Sequence, residues 1–368
     1  MNNFIRLLLK SCFSLDIDEK IKLIEGYSWQ ETVPDDGLRN LFETNNKPKH
    51  YIGLEISGFL HLGSLLSTGY KVNDFINAGV DCTIFLADWH TIINDKLGGN
   101  KENISLVSNY YKNAFEFVCP KAKILMGSEF YEKEGISYWE DLVKFTKHTT
   151  LARIRKTLTI MGRNEGDEKI DLAKMLYPPM QAIDIHSLDV DIAHAGMDQR
   201  KIHMLVRDIF PKLDWKVPIS VHHKILPSLI QSRNIDDNSI VVDKPTKMSK
   251  SNPKSGIFIN DSDKEIQNKI RKSWCELGKV HDTPLIDIME QIIFHQFNKV
   301  EIEQYGTDKI LTYDHFPTFI HDVEQDKIHP GDLKDAVSKY LIKIISPIRE
   351  KLNLDPITED VIKRSVKP

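Results

Sequence analysis

The sequence predicts an α/β fold, a parallel-sheet domain followed by an all-helical C-terminal domain. Three observations carry this. Between residue 50 and about residue 240, short apolar strand candidates alternate with helical patterns, as in a parallel sheet covered by helices. Within that region YIGLEISGFLHLG (51–63) runs a strand into a glycine-punctuated turn that opens a helix, with Leu62, Leu65, Leu66, Val72, Phe75 and Ile76 at helical spacing. From Asp261 onward the pattern turns almost wholly helical, and Leu333, Ala336, Val337, Tyr340, Leu341, Ile344, Ile345, Ile348 and Leu352 form a sustained apolar stripe.

In chain order, residues 1–45 read as an N-terminal helical segment that ends in the turn-rich Pro34-Asp35-Asp36-Gly37. Its opening MNNFIRLLLKSCFSL is interrupted by Arg6 and Lys10 and reads as an amphipathic helix, not a signal sequence. The sheet domain spans 46–240, with strands expected at Tyr51–Leu54, Cys82–Leu86, Ala122–Met126, Val190–Ala193 and Ile219–His222 and an inserted helical segment at about 100–175. Residues 241–262 form a loop and 263–368 the helical domain. A chain of 368 residues suits this division into two or three units.

Composition narrows the function. Hydrophobic and charged contents of 41% and 28% are those of a globular protein in water. The net charge of −4 means that any nucleic-acid footprint must be local. Cys12, Cys82, Cys119 and Cys275 are scattered without a C-x-x-C, which argues against zinc and a disulfide framework and fits a cytoplasmic protein. No apolar run approaches a membrane span, and no protein metal site is expected.

The candidate chemistry begins where the first strand meets its helix. Backbone N–H groups at a helix start lack partners and suit a phosphate, so His61, Gly63 and Ser64 are candidates. Far downstream, Lys247-Met248-Ser249-Lys250-Ser251 offers cations and hydroxyls for the same purpose. Two such stretches suggest a nucleoside triphosphate held from both sides. Singly, His61 reads more readily as a histidine satisfied by the helix start, and the lysines as a solvated loop. In a further helix Tyr177, Gln181 and Asp184 share one face by i, i+4, i+7 spacing. Met180, Ile183, Ile185 and Leu188 crowd around them, so the amide and carboxyl need partners. From Lys144 to Arg163 a stripe of Leu151, Ile154, Leu158 and Met161 leaves Arg153, Arg155, Lys156 and Arg163 for nucleic-acid phosphates or an ordinary solvated face.

The pair HLG (61–63) and KMSKS (247–251) resembles the signature layout of class I aminoacyl-tRNA synthetases. More narrowly, YIGLEISGFLHLG, LADWHT (86–91), YPPMQAIDIHSLDVDIAHAGMDQRKIHM (177–204) and HPGDLKDAV (329–337) resemble the archaeal- or eukaryotic-type tyrosyl branch of that family, over roughly 50–352. The resemblance implies a Rossmann-like catalytic domain and a helical anticodon-binding domain. It implies L-tyrosine, ATP with Mg2+ and tRNA(Tyr) as partners, and a homodimer. Tyr177, Gln181 and Gln199 would then take the tyrosine ammonium and Tyr51 and Asp184 its phenol. Glu55 would assist at the ammonium or stand as a surface carboxylate. ATP would be held by His61, Gly63, Ser64, Lys247, Met248, Ser249, Lys250 and Ser251, with His61, Lys247 and Lys250 catalytic.

For tRNA, the resemblance implies that Asp332 reads an anticodon base edge, although an acid at a helix terminus also explains it. It implies Arg153, Arg155 and Lys156 on tRNA phosphates, or a dimer interface built from the same segment. His90 lines the amino-acid pocket or packs beside it, and Phe294 and Phe297 are candidates for stacking a base. Two departures stand out: Ser64 replaces the family's usual histidine, and Tyr131 stands where some relatives carry glutamine. Tryptophan–tRNA ligase and a non-catalytic RNA-binding relative are the alternatives.

Overall fold

The computed structural model describes residues 15–162, 170–230, 247–248 and 252–365. Among these residues a six-stranded sheet carries the fold: β1 (Trp29–Val33), β2 (Lys49–Leu54), β3 (Asp81–Leu86), β4 (Lys123–Met126), β5 (Ile192–Gly196) and β6 (Ile219–His223). Their order is β1-β6-β5-β2-β3-β4, parallel throughout except that β1 pairs antiparallel with β6. All five strands expected from the sequence are present, with ends that agree or shift by up to three residues. The N-terminal segment departs from its helical reading. Helices α1 (Ile17–Ile24) and α2 (Gly37–Thr44) flank the edge strand β1, whose WQETV sequence is rich in the aromatic and β-branched residues that suit a pleated edge.

Strand residues alternate between two cores. Ile52, Ile84, Ile192 and Val221 enter the core shared with the C-terminal helices, and Tyr51, Phe85 and Ala193 enter the other. On the first face, the π-helical turn Leu62–Ser67 leads into α3 (Thr68–Asn77), beyond which lies α5 (Lys101–Val118). The short α4 (Asp88–Ile93) precedes α5. On the second face lie α6 (Gly127–Glu134), α7 (Ile136–Lys147), α8 (Leu151–Thr157), α9 (Tyr177–Ser187) and α10 (Arg200–Ile209). Pro178 and Pro179 sit in the first turn of α9, where a missing N–H costs nothing.

The C-terminal region is built on α11 (Asp263–Lys272), α12 (Pro284–Ile288) with its π-helical extension Met289–Ile293, α13 (Phe316–Glu324), α14 (Pro330–Leu352) and α15 (Pro356–Ser365). A capping box of Ser262 and Glu265 starts α11, and the expected stripe of α14 is buried at Leu333, Val337, Leu341 and Ile345. The region is not all-helical. A hairpin of β7 (Val300–Glu303) and β8 (Ile310–Tyr313) interrupts it, with Val300 and Ile302 buried between the exposed Glu301 and Glu303. Among the polar links that hold this region to the sheet domain, Ser67 Oγ donates to Gln291 at 2.9 Å and His295 Nε2 lies 3.0 Å from the Asp74 carboxylate. No helix among the described residues is long and apolar enough to cross a membrane.

Candidate active site

Parallel sheets bind ligands beyond the carboxyl ends of their strands, where the strand order reverses. Here β2 lies between β5 and β3, and a cavity of about 550 Å³ opens beyond the ends of β2, β5 and β6. Its lining includes Tyr51, Glu55, His61, Gly63, Ser64, His90, Tyr177, Gln181, Gln199, Lys247 and Met248. Most of the residues expected from sequence thus meet at one place.

One end is a buried polar nest in an apolar wall. Tyr51 leaves β2 with its hydroxyl over Gly53, where a Cβ would approach that oxygen to 2.3 Å. Glycine at 53 is what gives the phenol its place. Asp184 is fully buried on α9. Tyr138 donates to its Oδ1 at 2.8 Å and Tyr131 to its Oδ2 at 3.4 Å, while His90 Nε2 stands 3.8 Å from Oδ2. Burial pushes the Asp184 carboxyl up to about 8, against the pull of the Tyr138 and Tyr131 hydroxyls. The Tyr51 phenol is raised by burial and by the Asp184 charge. Asp184 therefore meets tyrosine hydroxyls on several sides. Tyr138 went unsuspected, because it sits 46 residues from Asp184 and only the packing of α7 on α9 brings them together.

Beside this nest Tyr177 donates to Glu55 Oε1 at 3.4 Å, and Asn94 donates to the same oxygen at 2.7 Å. Glu55 is thus held toward the cavity. Gln181 Nε2 lies 3.5 Å from Gln199 Oε1, and Gln199 is fixed by Ile160 O at 2.9 Å. His90 is buried, lines the cavity and packs edge-on against Tyr177 with ring centroids 4.6 Å apart.

The other end joins the two phosphate-type stretches. The chain after KMSKS returns along the first junction: Leu62 N donates to Ile257 O at 3.0 Å and Ile259 N to Leu60 O at 2.9 Å. Met248 is buried, and its N–H donates to Leu226 O at 3.2 Å, which anchors the start of the motif. Lys247 Nζ reaches Asp198 Oδ2 at 2.8 Å. His61 Nδ1 accepts from Gly63 N at 3.1 Å and Ser64 N at 3.3 Å, so this nitrogen caps the helix start. The ring remains part of the cavity wall. Ser64 closes a capping box, its Oγ accepting from His61 N at 2.9 Å. Ser249, Lys250, Ser251 and Arg163 lie outside the described residues, as does the opening stretch 1–14.

Of the basic segment, Arg155 and Lys156 are exposed, whereas Arg153 pairs with Asp208. Ile154, Leu158 and Met161 are buried as expected, but Leu151 is not: it begins α8 at the surface, 58% exposed. Asp332 is buried in the first turn of α14 and accepts from Tyr305 N at 3.1 Å. This bond ties the backbone of Tyr305, in the β7–β8 turn, to Asp332, and Tyr305 itself is 93% exposed. The sequence reading named Phe294 and Phe297 as candidates for stacking a base and did not name Tyr305. Phe294 is core, packed on Phe316 and Phe319, and Phe297 packs on Tyr340.

Fold and site together define a class I aminoacyl-tRNA synthetase, with a parallel sheet, the HLG helix start and Lys247 and Met248 of KMSKS around one cavity. The chain belongs to the tRNA synthetases class I (W and Y), whose family model matches residues 43–346. It is 38% identical over 374 residues to the tyrosine–tRNA ligase of Thermococcus sibiricus, covering 95% of this chain and 98% of that one. Against the tyrosine–tRNA ligase of Picrophilus torridus it is 43% identical over 317 residues, 84% of this chain and 93% of the other. The structure resembles the crystal structure of a tyrosyl-tRNA synthetase complexed with L-tyrosine from Pyrococcus horikoshii. Their TM-score is 0.84 at 36% identity, over 95% of this chain and 100% of that one.

Proposed function

We propose that this chain is a tyrosine–tRNA ligase. In the first step a carboxylate oxygen of L-tyrosine attacks the α-phosphorus of ATP. The mixed anhydride tyrosyl-adenylate forms and pyrophosphate leaves. In the second step a hydroxyl at the 3′ end of tRNA(Tyr) attacks the carbonyl carbon and AMP leaves. The observation that carries this reading is the two-ended cavity, lined by Tyr51 at one end, with the fully buried Asp184 behind the wall, and by His61 with Lys247 at the other.

The chemistry needs positioning and charge compensation more than covalent help. Tyr51 and Asp184 take the phenol hydroxyl, and Glu55, Tyr177, Gln181 and Gln199 take the ammonium. The carboxylate of tyrosine is thereby left facing the nucleotide end. His61 takes the N–H groups of Gly63 and Ser64 on Nδ1, which holds its ring in one orientation at the cavity wall, where it meets the phosphates. Lys247, paired with Asp198 at the cavity wall, exchanges that partner for phosphate oxygens, and Lys250 joins it as pyrophosphate leaves. Mg2+ enters as part of the substrate, on the phosphates. Among the described residues no group of three or more His, Cys, Asp or Glu side chains is arranged to hold a metal.

For tRNA(Tyr), Arg155 and Lys156 supply phosphate contacts, and an anticodon base stacks on Tyr305 with its edge toward Asp332. Support for a homodimer comes from α7, where Ile136, Trp139 and Val143 are 74%, 37% and 58% exposed along one face. The unpaired thiols of Cys82, Cys119 and Cys275 suit a cytoplasmic enzyme. The test is ATP–pyrophosphate exchange with tyrosine, tryptophan and phenylalanine in parallel. Exchange with tyrosine alone is expected. Exchange with tryptophan instead selects the other branch of the family, and exchange with none selects the non-catalytic alternative.

A further inference from the structure

The nucleotide end of the cavity contains a polar group that the scheme above leaves unused. His223 ends β6, and Gly196 ends β5 in register beside it. A Cβ on Gly196 would meet Asp198 Oδ1 at 3.0 Å and His223 Nε2 at 3.6 Å. The imidazole nitrogen and the carboxylate oxygen therefore border one gap, and all three residues line the cavity. Asp198 uses its other oxygen, Oδ2, for Lys247.

The second nitrogen of His223 faces inward. Nδ1 lies 2.8 Å from His194 Nε2, and His194 Nδ1 lies 3.0 Å from His50 Nε2. His194 and His50 are fully buried in β5 and β2, with Phe75 packed against both rings. The three imidazoles thus form a hydrogen-bonded chain across β2, β5 and β6, from the sheet interior to the cavity. Burial lowers His50 to about 3 and His223 to about 4, and holds His194 well below the usual histidine range. All three are neutral near pH 7, and a neutral imidazole has one donor and one acceptor nitrogen. The chain consumes both nitrogens of His194 and the inner one of His223. What remains is His50 Nδ1, buried without a hydrogen-bond partner, and His223 Nε2 at the cavity.

Polar rings in a sheet interior cost free energy that Val or Phe would not. What this chain provides, and an apolar core would not, is a ring at the cavity wall held from behind in one orientation. We propose that His223 reads the nucleoside of ATP, pairing with Asp198 on the sugar hydroxyls, and that His194 and His50 are positioning residues that keep its Nε2 facing the ligand. The chemistry fits a vicinal diol. An ionised carboxylate only accepts, a neutral imidazole nitrogen does one or the other, and each hydroxyl does both. The inference rests on the ATP-site reading of this cavity, yet its test needs no tyrosine activation.

Equilibrium titration of the full chain with ATP, 2′-deoxy-ATP and 3′-deoxy-ATP separates the outcomes. His223→Phe is expected to weaken ATP binding about tenfold, the loss of one hydrogen bond. At least one deoxy analogue should bind parent and variant alike, because the hydroxyl that His223 reads is already missing. His223→Gln, which keeps a donor and an acceptor, should recover most of the affinity. In exchange assays the His223→Phe defect should appear in the KM for ATP and not in the KM for tyrosine. His194→Phe fills the same space while cutting the chain, and should weaken ATP in the same direction. If that variant does not fold, His50→Phe makes the same cut one ring further away. Unchanged ATP affinity in His223→Phe, or an equal penalty on ATP and both analogues, overturns the reading of the sugar. Full ATP affinity in a folded His194→Phe or His50→Phe overturns the positioning role. A parent that binds ATP but shows no tyrosine-dependent exchange tells against the proposed function and leaves this inference standing.

Discussion

Replacing Tyr51 by Phe together with Asp184 by Ala should collapse discrimination between tyrosine and phenylalanine. In the parent, phenylalanine would leave the Tyr51 hydroxyl and one position of the fully buried Asp184 carboxyl without a partner. Each such group costs about 1–3 kcal/mol when unpaired, so the two together cost about 2–6 kcal/mol. With about 1.4 kcal/mol for each factor of ten, that is about 30-fold to about 10⁴-fold in kcat/KM. The double variant removes both groups, and the ratio should fall toward unity. Tyrosine activation should drop severely while phenylalanine activation changes little and ATP parameters stay put. One structural side effect is foreseeable. Tyr138 loses the Asp184 bond at 2.8 Å but keeps Met180 O at 3.1 Å, so the nest loosens without leaving that hydroxyl orphaned. A thermal melt should show a loss of no more than about 1–3 kcal/mol. The assay is exchange kinetics with each amino acid. A folded double variant that rejects phenylalanine as strongly as the parent would refute the assignment of Tyr51 and Asp184 as hydroxyl readers.

Three further outcomes are expected. Lys250→Ala should slow single-turnover adenylate formation by about 10²–10³ with tyrosine affinity unchanged, since its contact forms as charge moves onto pyrophosphate; an unaltered rate contradicts the role. Ser64→His removes the hydroxyl that closes the capping box with His61, for an expected loss of about 0.5–2 kcal/mol in denaturant unfolding; an unshifted midpoint dismisses the cap as a stabilising element. Tyr305→Ala should raise the KM for tRNA about 5- to 150-fold, the worth of one stacked base at about 1–3 kcal/mol, without touching adenylate formation; an unchanged KM removes the hairpin from tRNA recognition.

What was legible in the sequence was local. Strands such as Tyr51–Leu54 and Cys82–Leu86 announce themselves as apolar runs between breakers, and the spacing of Tyr177, Gln181 and Asp184 puts them on one helix face whatever the rest of the chain does. The strand β1 and the β7–β8 hairpin were missed because WQETV and VEIE mix polar and charged residues into short strands beside helical patterns and lack the apolar runs that mark β2 to β4. Distant pairings were invisible for a different reason. Tyr138 with Asp184, Lys247 with Asp198, and His50 with His194 and His223 depend on strand order and helix packing, which no local pattern encodes. The same limit explains Ser64. Read against a family motif it stood only as a replacement for the usual histidine, and its part in the capping box emerged only with the backbone geometry of the turn.

The central claim is that one cavity brings the carboxylate of tyrosine to the α-phosphate of ATP and then passes the product to tRNA. The most direct measurement mixes the enzyme with radiolabelled tyrosine, ATP and Mg2+, removes free ligands, and identifies what stays bound. The account predicts near-stoichiometric tyrosyl-adenylate, with a matching release of pyrophosphate. On addition of tRNA(Tyr) it should be converted to tyrosyl-tRNA and AMP. Bound tyrosine without adenylate, or an adenylate that tRNA(Tyr) does not discharge, would contradict it.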